Sequence, residues 1–452
     1  MKPLTMPIID RYKISKVLIC FVLAVFATST SGHAKDHGAT IFTLQSSVDH
    51  ALKHNPRILS SKEAVAAAQA NKKWHFSEFL PKLSGNYGYK RLDEEGEFVP
   101  GVITSPQDQY TFTATLDQPV FSGFSQSARF EISKLELEVA RYEKKRSRQD
   151  LIYEVKEAYF KILQTLNLEM VARQAVNQFA SHAEVAGNFY DVGMIPKNDM
   201  LKTQVELANA KLDLVVATNT VELEKSRFNI LLQRPIDALF SIEKVGKQAP
   251  FTKSYKGCLE VALKQRPERH LAALAVEKAQ RGVTLAKKDY YPSVNLQANY
   301  FKTGDTPDIN GGTGISDAEE WNLAATASWT FWQWGKTRFG VIEKLKYLSQ
   351  AKLNMINVEN DIRQEVKTAY LRLKDAESIL VTEKIAVTQA KENVRISEER
   401  YKEQVATSTE VIDARTLLTK TQNNYFNART AINLSKAALN RATGAEESWA
   451  GE

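Results

Sequence analysis

Cysteine is nearly missing from this 452-residue chain, which has two. Cys20 falls in an apolar segment near the start, so Cys258 is left alone and no intramolecular disulfide is available to the rest of the chain. Cys258 reads as a small buried apolar residue. Long hydrophobic runs are missing too. After that first segment, no stretch approaches the ~20 apolar residues that a membrane helix requires. Any contact with a bilayer must then come from a β-barrel or from the surface. Blocks of one charge are absent: 60 Lys and Arg are interspersed with 53 Asp and Glu, for a formal charge of +7. Such a mild, mixed surface carries no nucleic-acid footprint. Only six methionines occur, unclustered, which gives no support to copper export.

Catalytic signatures are absent as well. There is no GxxxxGK[ST] phosphate loop, no HExxH, no CxxC and no GxSxG. His50 and His54 are four apart on a predicted helix, a spacing that can bind zinc, but no third ligand stands nearby. They read as solvated surface histidines, since a closed zinc site needs four ligands. The expectation is a protein without catalytic site, cofactor or metal.

The first 34 residues form a secretory signal peptide. Lys2, Arg11, Lys13 and Lys16 make a basic start, Val17 to Thr28 an apolar core, and Gly32-His33-Ala34 a small-residue cleavage site. Twelve apolar residues are too few to span a membrane. Cys20 follows the bulky Ile19 inside the apolar core, so no acylated N-terminus is expected.

What the chain does have is a repetition. EVKEAYFKIL starts at Glu154 and EVKTAYLRLK at Glu365, 211 residues on. The same offset carries Ala51, Leu52, Lys53 and Pro56 onto Ala262, Leu263, Lys264 and Pro267. It carries Pro81 onto Pro292, Tyr89 onto Tyr300, Tyr190 onto Tyr401 and Asn229 onto Asn440, with a local slip of one residue between Gly123 and Gly335. Solenoid units run to about 20–50 residues, so this is a duplicated structural half. The halves are 44–235 and 257–443, joined by a linker at 236–256 and flanked by tails at 35–43 and 444–452.

Each half has the same order. A helix comes first, Leu44 to about Phe79 and Gly257 to about Tyr290, stopped by Pro81 or Pro292. Then comes strict alternation, in β-hairpins at 82–121 and 293–332. Leu83, Gly85, Tyr87 and Tyr89 share one face of the first strand. Trp321, Leu323, Ala325, Ala327, Trp329 and Phe331 share one face of the last. A soluble sandwich also alternates. The length, near the ~9–11 residues of a tilted membrane strand, and the aromatics at strand ends favour an outer-membrane barrel. Four strands cannot close in lipid, where an open edge leaves N–H and C=O groups unpaired. The chain must therefore oligomerise: a dimer gives eight strands, and a trimer twelve, the better fit to small, polar inward faces. Leu92 to Gln109 and Thr303 to Glu320 read as exposed loops.

Long helical hairpins follow, at 125–232 and 336–442. Ser125 to Val192 is ~100 Å of helix at 1.5 Å per residue. Leu151, Val155, Ala158, Ile162 and Leu166 form a coiled-coil-like stripe, matched by Ile362, Val366, Ala369, Leu373, Ala376 and Leu380. The hairpin turns are DVGMIPKND (Asp191 to Asp199) and KEQVATSTE (Lys402 to Glu410). Tyr159 and Tyr370 recur as packing residues.

This order of elements resembles the TolC-like outer-membrane efflux protein family, from Leu44 to Gly444. The resemblance rests on the duplication, the A-L-x-x-x-P openings, the helix–Pro–strand junctions and the tips. The tip pattern stands here as Tyr190, Gly193, Pro196, Asp199 and Met200, and as Tyr401, Gln404, Thr407, Glu410 and Val411. The resemblance implies an α+β homotrimer in the outer membrane of a Gram-negative bacterium. Twelve strands form the barrel, and twelve coiled-coil-like helical staves form a tunnel through the periplasm. It implies docking to a periplasmic adaptor (membrane fusion) protein and an inner-membrane pump, for efflux or type I secretion. It also implies tip closure by Tyr401 and Asp199 through a phenol–carboxylate hydrogen bond, and adaptor docking at tips that carry Gly193, Pro196 and Thr407. A basic residue often seen in the second tip corresponds to Ala406 here. In a trimer, Glu410 and Asp413 would form acidic rings at the tunnel mouth that focus field on cations. Glu410 also suits a first helical turn, where it offsets the helix dipole.

Other classes fit less well. A periplasmic coiled-coil adaptor or scaffold without a barrel would leave the girdled strands unexplained. A secreted enzyme with a helical stalk would need a polar constellation, and an uptake porin would not need ~100 Å helices.

Overall fold

The computed structural model describes residues 40–244, 246, 251–315 and 318–445. The signal-peptide segment lies outside them, as do most of both tails and part of the linker. The chain divides into a small unit, Met1–Ile41 with Leu239–Ser241, and a large one, Phe42–Ala238 with Ile242–Glu452. Strands β1 (Thr40–Phe42) and β6 (Phe240–Ile242) pair only with each other. Everything below concerns the large unit.

The opening helix of each half is broken in two. In the first, α1 (Leu44–His54) gives way to α2 (Pro56–Ser77). In the second, α5 (Tyr255–Gln265) gives way to α6 (Pro267–Ala286). Single helices were expected. Proline forces its predecessor out of the α region, and Asn55 and Arg266 both sit at extended dihedrals. Proline then serves as the first residue of the next helix, where its missing N–H costs nothing. Asn55 adds a cap, accepting from Arg57 N–H at 3.0 Å.

The main sheet has four antiparallel strands in the order β2 (Lys82–Arg91), β5 (Asp108–Ser122), β7 (Ser293–Gly304) and β8 (Glu319–Ser328). The segment expected as a plain loop between β2 and β5 holds a small hairpin, β3 (Gly96–Val99) and β4 (Val102–Ser105). The apolar face of the sheet is open: Leu83 is 76% exposed, Leu323 71% and Trp321 76%. Both outer edges, β2 and β8, are unpaired among the described residues. Strand β8 stops at Ser328, short of the expected Phe331, because β7 begins at its partner Ser293 and nothing lies beyond to pair with.

Sheet and long helices are joined by two-residue left-handed turns, Gly123–Phe124 (φ 60° and 66°) and Trp334–Gly335 (φ 50° and 83°). These turns are 211 residues apart position for position, so the expected slip of one residue is not there. Glycine and aromatic have exchanged places inside the same turn. At Gly123 a Cβ would come within 2.3 Å of the Lys288 carbonyl oxygen, so only glycine fits there.

Helices α3 (Ser125–Asp191) and α7 (Lys336–Lys402) have 67 residues each. They fold back as α4 (Lys197–Leu231) and α8 (Ser408–Thr443). The predicted stripes are the core. Ile362, Val366, Ala369 and Leu373 pack with Cys258, Ala262, Leu439 and Ala442. Leu151, Val155 and Ile162 are buried in α3. Tyr159 does more than fill space: its hydroxyl lies 3.1 and 2.6 Å from the carbonyl oxygens of Phe42 and Glu243 and ties those segments to α3. Burial pushes its pKa up to about 12. No helix among the described residues is long and apolar enough to cross a membrane.

Candidate functional site

The functional candidates lie at the two hairpin tips, and the tips are built alike. Helix α3 ends in a Schellman closure: Gly193 N–H donates to Tyr190 O (2.9 Å) and Met194 N–H to Phe189 O (2.8 Å). Helix α7 ends the same way, with Gln404 N–H to Tyr401 O (3.0 Å) and Val405 N–H to Arg400 O (2.9 Å). The left-handed residue is Gly193 (φ 78°) in one and Gln404 (φ 60°) in the other. The Gln404 amide reaches the Met194 sulfur at 3.0 Å, which brings the two tips into contact.

The restart of α8 is the better capped. Thr407 Oγ1 accepts from Glu410 N–H, and Glu410 Oε1 accepts from Thr407 N–H, both at 3.3 Å, a capping box. The other Glu410 oxygen pairs with Arg400 at 3.4 Å, so this turn is bridged by a base on its near side rather than at position 406. Helix α4 starts at Pro196 without a side-chain cap, and Asp199 lies in its first turn, 3.6 Å from Lys202. Gly193, Pro196 and Thr407 are exposed. Asp413 is exposed and makes no ion pair among the described residues.

Tyr401 is buried (5% exposed) against the rings of His182 (5.1 Å) and Phe189 (5.5 Å). The expected hydrogen bond to Asp199 is not formed within the chain. Packing carries the phenol inward, and its oxygen makes no hydrogen bond of ordinary geometry. Burial raises its pKa; proximity to the Ser408 hydroxyl opposes the shift and the Asp199 charge adds to it. Tyr190, its counterpart in the first tip, is 37% exposed.

Behind Tyr401 stands a buried polar cluster that the sequence did not reveal. His182 Nε2 lies 3.0 Å from Ser408 Oγ. Burial, and then the charge of Arg415, lower the His182 pKa to about 4. Arg415 is itself buried and donates twice to Glu398, at 3.0 and 2.7 Å. No repeat signal marks His182, since Asn393 stands at the equivalent place.

A second ionic cluster ties the halves together at mid-helix. Arg57 donates to Asp150 (3.1 Å) and Glu154 (2.8 Å). Arg441 pairs with Asp150 and with Glu268 (2.7 Å), and Arg266 with Glu268 (2.9 Å) and Glu365. Burial works against the Glu268 carboxylate, but Arg266 and Arg441 overcome it and hold its pKa down at about 2. His50 and His54 stand ring to ring at 4.3 Å, and no group of three metal-ligand side chains occurs among the described residues.

Tall helical hairpins continuous with an open, outward-apolar sheet are a geometry that can be compared with known proteins. A family model described as outer membrane efflux protein matches residues 47–225 and 258–445. The chain belongs to the outer membrane efflux protein family. Its place is accordingly the outer membrane of a Gram-negative bacterium, and its work is export. Among curated relatives, it is 21% identical over 439 residues to outer membrane efflux protein BepC of Brucella suis, covering 96% of this chain and 91% of that one. It is also 21% identical to outer membrane protein TolC of Vibrio cholerae, over 95% of each chain. In fold it is similar to the CmeC outer membrane channel of Campylobacter jejuni, with a TM-score of 0.79 at 18% identity, covering 89% of this chain and 85% of that one.

Proposed function

We propose that this internally duplicated chain is one third of a passive export duct: a homotrimer whose sheets close into a twelve-stranded barrel and whose helices line a periplasmic tunnel. The carrying observation is the sheet itself. Its apolar face is open and both its edges are unpaired, a combination that lipid does not tolerate in a single copy. The helices agree. Leu201, Val205, Leu212, Val216, Leu223 and Ile230 make an exposed stripe along α4 at coiled-coil spacing.

The duct performs no chemistry; it supplies a path. A periplasmic adaptor docks on the tips around Gly193, Pro196 and Thr407, and an inner-membrane pump supplies the energy, in efflux or in type I secretion. Tyr401 and Asp199 take part in holding the tips closed; the phenol oxygen is buried, so Tyr401 must shift in its packing before it can meet a carboxylate. Asp413 forms an acidic ring at the mouth. Glu410, committed to its cap and to Arg400, contributes less to it.

Light scattering on protein extracted from outer membranes, with detergent accounted for, tests this directly. A threefold chain mass is expected. A detergent-independent monomer would overturn the proposal.

A further inference from the structure

The tip tyrosine repeats, but its surroundings do not. Tyr401 and Tyr190 stand 211 residues apart. Around Tyr401 lie His182, Ser408, Arg415 and Glu398. The positions related to these by the same spacing hold Asn393, Lys197, Gln204 and Gly187. All four differ, so the cluster belongs to one tip alone.

The cluster is built around an uncharged imidazole. His182, on α3, is buried, and its Nε2 lies 3.0 Å from Ser408 Oγ at the start of α8. Its ring meets the Tyr401 ring, on α7, edge to face at 5.1 Å. The charge that acts on it is that of Arg415 on α8, which is also buried. The carboxylate of Glu398 on α7 is committed to Arg415. From its own helix, Phe189 completes the packing of Tyr401, and from α4 the charge of Asp199 acts on the phenol. A proton on His182 would place a second buried cation near Arg415, whose carboxylate is already taken. A buried charge without a partner is costly. The relief is outward: the imidazole reaches water only if α3 parts from Ser408, and Tyr401 then loses the ring that covers it. That loss matters, because the phenol oxygen is buried and must move to meet a carboxylate.

We propose that His182 is the positioning residue for Tyr401: neutral, it holds the phenol inward and leaves the closing bond to Asp199 on a neighbouring hairpin unmade; protonated, it lets the phenol go, so that acid tightens the tips. The inference rests on the closure role proposed above for Tyr401 and Asp199, and names what governs it. The direction follows from linkage. Packed inward, the imidazole has a pKa of about 4; released into water it returns to its ordinary 6.5. The released state binds the proton more tightly, so it gains as pH falls through that window, by up to about a hundredfold in the ratio of the two states.

Planar-bilayer conductance of the whole protein, followed from about pH 7 to about pH 4, tests it. The wild-type conductance is expected to fall severalfold. His182→Asn installs the residue that the other half carries at this place, too short to cover the Tyr401 ring. It is expected to be as low near neutrality as the wild type is in acid, and to change little between. His182→Gln, which keeps a polar group toward Ser408, serves where the first variant does not assemble, and is also expected to lose the pH response. Tyr401→Phe is expected to be high throughout, and adding His182→Asn to it should change nothing, since the two act as one unit. A wild type that does not respond to acid, or that opens in it, overturns the inference. So does a wild-type profile in His182→Asn, which would assign the response to another group, Glu398 first. An effect of His182→Asn that persists beside Tyr401→Phe would show a general loosening of the tip and overturns it as well. In all these cases a raised conductance in Tyr401→Phe leaves the closure role standing. An unchanged conductance in Tyr401→Phe, in a working pore, removes the closure role and the inference together.

Discussion

Gln404 holds a conformation that its own side chain resists. It occupies the left-handed position that glycine takes at the other tip, and a non-glycine residue there costs about 1–2 kcal/mol. Among the described residues, its side chain's return is a weak amide–sulfur contact with Met194. Gln404→Gly is therefore expected to stabilise the tip by about 1 kcal/mol, read as a rise in thermal midpoint in detergent; a fall would mean that the contact between tips outweighs the strain. Asp413 makes a simpler case. It is exposed and unpaired, so Asp413→Lys should lower the preference for cations in planar-bilayer conductance. Unchanged selectivity would remove Asp413 from the mouth. Gln404 was legible because the two tips repeat; Asp413 was not, since Lys202 stands at its place in the first half, and it was read from its spacing to Glu410. What did not follow from the repeat was the state of each copy, since Tyr401 and Tyr190 share a place in the pattern but not a degree of burial.

At the scale of elements, α3, α7 and α8 are locked near the tip by His182. The groups facing it are Ser408, Arg415 with its partner Glu398, and Tyr401. Its pKa is about 4 when folded against an ordinary 6.5, so the unfolded chain binds the proton more readily. Stability from this contact is complete above about pH 6.5 and declines as pH falls toward 4. The thermal midpoint should drop over that window, and less steeply in His182→Gln; equal slopes would show that His182 is not the group responsible. The helices and strands were readable from their stripes, because a 3.6- or 2-residue period is written locally. The breaks at Asn55–Pro56 and Arg266–Pro267 were harder, since apolar spacing runs on through them and proline is as welcome at a helix start as it is disruptive inside one. The end of β8 was unreadable for another reason: it is set by the partner strand, not by its own residues.

For the whole molecule, the mid-helix ion cluster is the joint between halves. Glu268 stands where the first half has Arg57, so the charge is inverted and no common motif announces it. Arg266 is its neighbour in sequence, but Arg441 comes from 173 residues away, which pattern reading cannot join. Because its folded pKa is held at about 2 against 4.5, its contribution is full above about pH 4.5 and lost as pH falls toward 2. That is a lower window than that of His182. Glu268→Gln strips charge from two arginines and should cost about 2–3 kcal/mol, measured as a lowered thermal midpoint at pH 7. A neutral result would place the halves' cohesion in the apolar core instead. The inequality of the two tips has a consequence of its own. Three copies around one axis would set six tips in a ring, with sealed tyrosines and uncovered ones in alternation. Under the proposed assembly, such a ring would show any docking partner two unlike surfaces in turn, one with its tyrosine covered and one with it open.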